Sequence, residues 1–473
     1  MKTTTLLATL LTLITATFSV AQKQPNIVFL FADDAGYADF GFQGSKVYKT
    51  PNLDKLSKDG VIFDQMYVTA SVCGPSRAGL LTGRYQQRYG FIENNVPGIM
   101  DDNSKFLGDE MGVPTNVKTM GERLQERGYK TAIFGKWHLG EADKYHPTKR
   151  GFDEFVGFRG GARSFFPYTD EQKKDPHNKN VGKGRWLERG FENFEEHEGY
   201  LTNVLADEAC DFIERHKDER FFAFVSFNAV HLPLQIDPQD KETYPELEGV
   251  RRLNAQMTLS LDRACGQIID KLEALGLAEN TIIVFSNDNG GPSDKNASNN
   301  FPFAGVKGTQ LEGGIRVPSF MVWPGKIKPN TRFEKSVMTF DLLPTFYTAA
   351  GGDASEINDI DGVDILPYLN GGKSGNLHEY MYWKWETRGV VRNGDWKLMR
   401  FPDRPAMLFN TKKDPGEQND LSAKYPERVN KMFKELFAWE MQLERPMFML
   451  RTAEEQWSAN RFDQFRKPPA KVN

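Results

Sequence analysis

The chain has 473 residues, with 60 Lys+Arg against 64 Asp+Glu and a formal net charge of −4. Charged residues make up 26% and hydrophobic residues 39%, which excludes a wholly disordered or collagen-like polymer. The mild acidity gives no long-range attraction for nucleic acid, so no such partner is expected, and an anionic substrate must be held by a local cluster of cations.

Met1 to Ala21 sets Lys2 ahead of an apolar stretch that ends in Ser19-Val20-Ala21. This is the pattern of a signal peptide over 1–21, and it predicts export to the periplasm or the medium, with a mature chain beginning near Gln22. No later apolar run is long enough to span a bilayer, so no membrane span is expected after cleavage. Asn26 to Ala32 is a nearly continuous apolar run, the mark of a strand buried on both faces. Similar runs recur at 130–134, 221–227 and 281–286, and helical patterns at 117–127, 201–216 and 253–275 lie between them. The alternation predicts an α/β domain over 22–355, a mostly parallel central sheet flanked by helices. Short strands at 381–385, 389–392, 396–400 and 407–410, then a helix at 426–443, predict a smaller α+β domain with an antiparallel sheet over 356–473. Its Lys/Pro-rich tail reads as loose.

In sheets of this kind, sites collect beyond the carboxyl ends of the strands. The residues there are Asp33 and Asp34, then Lys136 and His138, then Asn228 and His231, then Asp288 and Asn289. Hard oxygen donors such as Asp33, Asp34, Asp288 and Asn289 suit Ca²⁺ or Mg²⁺ rather than a soft metal. Taken singly, Asp33 can equally cap a helix, and Asp288-Asn289-Gly290-Gly291 can equally be a turn. The three cysteines, Cys73, Cys210 and Cys265, are too few to staple a chain of this length, so a conventional core is required. Cys210 and Cys265 fall on predicted helices as small apolar residues.

Cys73-Gly74-Pro75-Ser76-Arg77 runs on to Leu81-Thr82-Gly83-Arg84. This string closely resembles the hallmark of the type I sulfatases, members of the alkaline phosphatase-like superfamily. Gly135-Lys136-Trp137-His138-Leu139-Gly140 and Gly305-Val306-Lys307-Gly308 extend the resemblance, which covers 26–324 and weakens beyond. It implies that Cys73 is oxidised to formylglycine by a formylglycine-generating or anaerobic sulfatase-maturing enzyme. The hydrated aldehyde then acts as a nucleophile with a built-in release step. The resemblance also implies a catalytic set of Cys73, Arg77, Lys136, His138, His231 and Lys307. One Ca²⁺, ahead of Mg²⁺, would be held by Asp33, Asp34, Asp288, Asn289 and the modified residue 73. Pro75 fits the first turn of a helix whose N-terminus favours the sulfate charge.

The implied reaction is hydrolysis of O-sulfate esters of a sulfated carbohydrate: an algal galactan, ulvan or a glycosaminoglycan. Arg159, Arg163 and Trp383 are candidates for the sugar-binding rim. A phosphate or phosphonate monoester hydrolase of the same superfamily and a non-catalytic sulfated-glycan binder are the competing readings. His146, His177, His197, His216 and His378 match no motif.

Overall fold

A computed structural model describes residues 24–96, 98–174 and 183–471. The signal peptide and His177 lie outside the described residues.

Strand β1 (Asn26–Ala32) sends Ile27, Phe29 and Phe31 into one hydrophobic core and Val28, Leu30 and Ala32 into another, and all six are fully buried. A strand apolar on both faces needs cover on both, and the chain supplies it with helices. Around β1 lie β2 (Val61–Tyr67), β3 (Lys130–Lys136), β4 (Glu154–Phe158), β5 (Glu188–Arg189), β6 (Phe221–Ser226), β7 (Thr281–Asn287), β8 (Arg316–Val322) and β9 (Thr331–Met338). They form a nine-stranded sheet in the order β5-β4-β3-β6-β1-β7-β8-β2-β9. Five of its pairings are parallel; β4 with β5, β7 with β8 and β2 with β8 are antiparallel.

Helices Leu201–Arg215 and Gly249–Ala274 cover one face through Leu205, Phe212, Leu261 and Ile268. On the other face lie Leu80 and Leu81 of helix Cys73–Thr82 and Leu343 and Phe346 of helix Leu342–Ala349. The Cys73–Thr82 helix is buried along its whole length. Gly79 makes this possible, since a Cβ there would stand 2.1 Å from Thr69 Oγ1. Gly83 stops the helix at φ 69, and its N–H bonds back to the Gly79 carbonyl.

The second sheet is antiparallel: β10 (Met381–Trp385), β11 (Arg388–Asn393), β12 (Trp396–Arg400) and β13 (Met407–Asn410). Trp383, Val391 and Leu398 join the same core as Phe29 and Leu80, so apolar packing runs unbroken from one sheet to the other. Fully buried Glu312 braces the join. It accepts from Tyr67 Oη at 2.7 Å and pairs with Lys397 at 3.1 Å and Arg392 at 3.4 Å.

Past helix Pro426–Glu440 the chain packs back on the residues that follow the Cys73 helix. Residues 447–451 thread between two loops of the first domain, with Phe106 N–H on Met447 O at 2.9 Å and Arg451 N–H on Ile99 O at 3.1 Å. Helix Thr452–Gln464 follows. Phe462 anchors it on Phe401, with ring centroids 4.8 Å apart. Among the described residues no helix is long and apolar enough to cross a membrane.

Candidate active site

The carboxyl ends of β1, β3, β6 and β7 converge on the N-terminus of the Cys73–Thr82 helix. Asp33 and Asp34 follow β1, Lys136 ends β3, Ser226 ends β6, and Asp288 and Asn289 follow β7. All six are buried. Asp34 and His138 sit at φ 61 and 62, so the chain turns sharply as it leaves each strand.

Three carboxylates face three cations. Asp33 Oδ2 accepts from Lys136 Nζ at 2.6 Å, Asp34 Oδ1 lies 2.7 Å from Lys307 Nζ, and Asp288 Oδ2 accepts from Arg77 Nε at 3.0 Å. Arg77 Nη1 also donates to Ser226 Oγ at 2.6 Å and to Lys136 O at 3.1 Å. Its fork thus braces the strand ends, leaving Nη2, which has no hydrogen bond in this arrangement, as a remaining donor. Cys73 opens its helix with Sγ 3.0 Å from Lys307 Nζ and 3.8 Å from Asp33 Oδ1. His231 Nε2 stands 3.5 Å from Asp34 Oδ2, while its Nδ1 meets the Leu232 carbonyl at 2.7 Å. Both ring nitrogens of buried His138 lack a hydrogen-bond partner.

Burial and neighbouring charge set the protonation states. Burial, reinforced by Asp288, raises Asp33; for Asp34, burial is outweighed by Lys307 and His231, and the group stays well below the usual carboxylate range. Burial pushes the Cys73 thiol up to about 12 despite Lys136 and Lys307. Unmodified Cys73 is therefore a neutral thiol at physiological pH, and the thiolate needed for sulfur nucleophilicity is absent. Burial and the surrounding cations hold His138 far below its ordinary value, and burial also lowers His231.

The donor set fits a hard divalent cation. One ligand atom from each of Asp33, Asp34, Cys73 and His231 falls within 4.8 Å of the others. Asn289 adds a buried Oδ1 with no hydrogen-bond partner, while its Nδ2 is anchored on Asp34 Oδ1 at 2.7 Å. Asp288 Oδ1 accepts the Asp34 N–H at 3.3 Å. Asp33, Asp34, Cys73 and His231 thus form a possible divalent-metal group, with Asp288 and Asn289 beside it.

The expected rim lies elsewhere. Arg159 is clamped on Glu188 at 2.7 and 2.8 Å and on Asp143 at 2.6 Å. Arg163 pairs with Glu196 at 2.8 Å. Trp383 is core, with Nε1 donating to Val68 O at 2.7 Å. Neither arginine nor Trp383 lines the cavity at Lys307, because buried carboxylates and apolar packing claimed them first. Trp385, two residues on and on the same face of β10, lines that cavity.

The cavity has a volume of about 240 Å³, and Asp34, His231 and Lys307 form its floor. A larger groove of about 530 Å³, lined by Tyr37, Arg316 and Arg392, includes none of Asp34, His231 and Lys307. Three contributors to the site have no motif that marks them. Asn94 Oδ1 accepts the Gly74 N–H at 2.7 Å and so fixes the start of the Cys73 helix. Glu93 accepts the Trp385 indole N–H. Arg461, from the last helix, donates to the Lys307 carbonyl at 3.1 Å. Only tertiary folding brings these groups to residues so distant in the chain.

Burial, with little relief from its hydrogen bonds, raises Glu93 from 4.5 to about 7. A folded value above the unfolded one contributes stability that is complete below 4.5 and lost as pH rises through about 7. Urea unfolding of Glu93→Gln against the parent should reveal a stability difference that changes by on the order of 3 kcal/mol across that window, the parent losing ground as pH rises. A pH-independent difference would refute the assignment.

A family model described as Sulfatase matches residues 25–352, and one described as N-sulphoglucosamine sulphohydrolase, C-terminal, matches residues 307–442. The N-acetylgalactosamine-6-sulfatase of Canis lupus familiaris is 32% identical over 386 residues, which is 80% of this chain and 72% of that protein. A crystal structure of Ps i-CgsB in complex with k-i-k-neocarrahexaose superposes with a TM-score of 0.83 at 35% identity, covering 94% of this chain and 100% of its own. The PsFucS1 sulfatase from Pseudoalteromonas sp. gives a TM-score of 0.73 at 25% identity, covering 89% and 90% respectively.

Proposed function

The chain belongs to the formylglycine-type sulfatase family of the alkaline phosphatase-like superfamily and is a sulfuric ester hydrolase; from that premise we propose that it cleaves O-sulfate esters of a sulfated oligosaccharide through a formylglycine made from Cys73. The observation that carries this reading is the position of Cys73: first residue of a buried helix, 3.0 Å from Lys307 Nζ, beside Asp33. The neocarrahexaose held by one relative and the substrate named for another support an algal galactan or a glycosaminoglycan ahead of ulvan.

In this mechanism residue 73 carries a hydrated aldehyde. One hydroxyl gives its proton to Asp33 and attacks sulfur, and the S–O bond to the sugar breaks as the alkoxide takes a proton from His231 or Lys307. The second hydroxyl then gives its proton to His138, the carbonyl re-forms, and sulfate leaves as the carbon–oxygen bond breaks. Water restores the hydrate. Both ring nitrogens of His138 are uncommitted, which leaves one of them to take that proton. Lys136 and Lys307 hold sulfate oxygens, and Arg77 keeps Asp288 and the strand ends in place. Asp33, Asp34, Asp288 and Asn289, with residue 73, hold one Ca²⁺, which when bound supplies a Lewis acid to the sulfate group. The chain is exported by the segment 1–21, its maturing enzyme acts on Cys73, and the catalytic domain spans 22–355 with the smaller domain at 356–473.

Rates on matched aryl sulfate and aryl phosphate decide between this chemistry and phosphoester hydrolysis. The expected outcome is a preference for sulfate of about 100-fold or more in kcat/KM, the scale of a few kcal/mol of differential transition-state binding. A preference for phosphate overturns the assignment.

A further inference from the structure

The cavity above Lys307 has a wall whose charges are unevenly neutralised. Its cations are already occupied. Arg461 Nη1 and Nη2 clamp Asp294 at 2.6 and 2.9 Å, Lys295 Nζ lies 3.8 Å from the same carboxylate, and Lys307 is engaged by Asp34 at 2.7 Å. Its carboxylates are not balanced in this way. Glu93 accepts from the Trp385 indole and from the Asn94 N–H at 2.8 Å, both uncharged donors. Glu454, half-buried on the last helix, has no Lys or Arg within ion-pair distance among the described residues. Beside Glu93 lies a further half-buried carboxylate, Glu386, whose own ionisation is discouraged by burial and then by Glu93. The remaining lining from Val72, Ile99 and Leu450 is apolar.

Taking the sulfatase reading as its basis, we propose that this wall selects a leaving group that is an uncharged, hydroxyl-bearing sugar carrying a single sulfate, and rejects a ring that also bears a uronate or a second sulfate. Carboxylates accept hydrogen bonds from sugar hydroxyls, and the apolar trio suits the C–H face of a pyranose. The same carboxylates oppose a second anion, and the exposed ammonium of Lys295 sits 3.8 Å from Asp294. Specificity of this sort is built from a repulsive element as much as from attraction. Glu454 is the specificity residue at the cavity mouth and Glu93 the one deeper in.

The test compares three sugars for each ring position of the sulfate: a neutral hexose monosulfate, the same hexose with a second sulfate, and a hexuronate with the same sulfate. Binding to Cys73→Ala protein is measured by calorimetry at about pH 8, where Glu93 is mostly ionised, alongside kcat/KM for the active enzyme. At the best ring position the neutral monosulfate should be favoured about tenfold or more over both others, and Glu454→Gln should shrink that ratio by about threefold or more. Glu93→Gln should shift the ratio in the same direction. Equal or tighter binding of the uronate or disulfate, or a ratio untouched by both substitutions, overturns the proposal. Because binding is read on the inactive protein, a chain that fails to cleave aryl sulfate still reports on the wall. One that cleaves aryl sulfate but accepts the uronate refutes the wall alone.

Discussion

Cys73→Ala protein should release sulfate from an aryl sulfate at least about 10⁴-fold more slowly than the matured parent, the usual scale for loss of a covalent nucleophile. The same loss is expected for parent protein produced without the maturing enzyme, because burial leaves Cys73 as a neutral thiol with a value of about 12. Mass spectrometry of the peptide containing residue 73 joins the two arms: activity should scale with the fraction carrying an aldehyde. Full activity from a preparation whose peptide is entirely thiol would defeat the mechanism. The substitution should leave the fold intact, since Cys73 is small and its helix is held by Asn94 at one end and Gly83 at the other.

Stripping divalent cations should be the next most damaging change. Sulfate release is expected to fall by about 100-fold or more after exhaustive chelation and to return with Ca²⁺. The stripped protein should nevertheless remain folded, because Asp33, Asp34 and Asp288 each retain a cationic partner in Lys136, Lys307 and Arg77. Thermal unfolding should shift upward on adding Ca²⁺, by the equivalent of about 2.7 kcal/mol when the ion is at 100 times its dissociation constant. An undiminished rate in protein shown by elemental analysis to be metal-free would remove the ion from the mechanism. With three carboxylates offset by three cations, a divalent ion gives the pocket net positive charge, which is what an anionic ester requires.

The parts of this site that sequence made legible are those dictated by local chemistry. Continuous apolar runs identified β1, β3, β6 and β7, and the polar residues just beyond them proved to converge. Strands β2, β4, β5, β8 and β9 escaped notice, two of them for a clear physical reason: Val61–Tyr67 and Thr331–Met338 mix polar with apolar residues, and β9 is partly exposed. Such strands are recognisable only through their partners. Residue type alone does not reveal prior commitments: Arg159, Arg163 and Trp383, expected at the rim, are engaged by Glu188, Glu196 and the Val68 carbonyl. The last helix was missed because its sequence is mostly polar and its few anchors, Arg461 and Phe462, gain meaning only against Asp294 and Phe401.

That last helix also sets a timetable. Cys73 is 1% exposed, yet an enzyme that oxidises it must first reach it. The residues that complete the enclosure around it lie far along the chain: Arg461 steadies the Lys307 loop, and the Phe465 carbonyl accepts the Gly305 N–H at 2.9 Å. Until they arrive, nearly four hundred residues after the cysteine, the pocket lacks a wall and the loop lacks its fastening. On the proposed mechanism, oxidation of Cys73 is therefore expected on the nascent chain. A protein that completes its fold with the thiol unconverted has locked its own precursor away from repair.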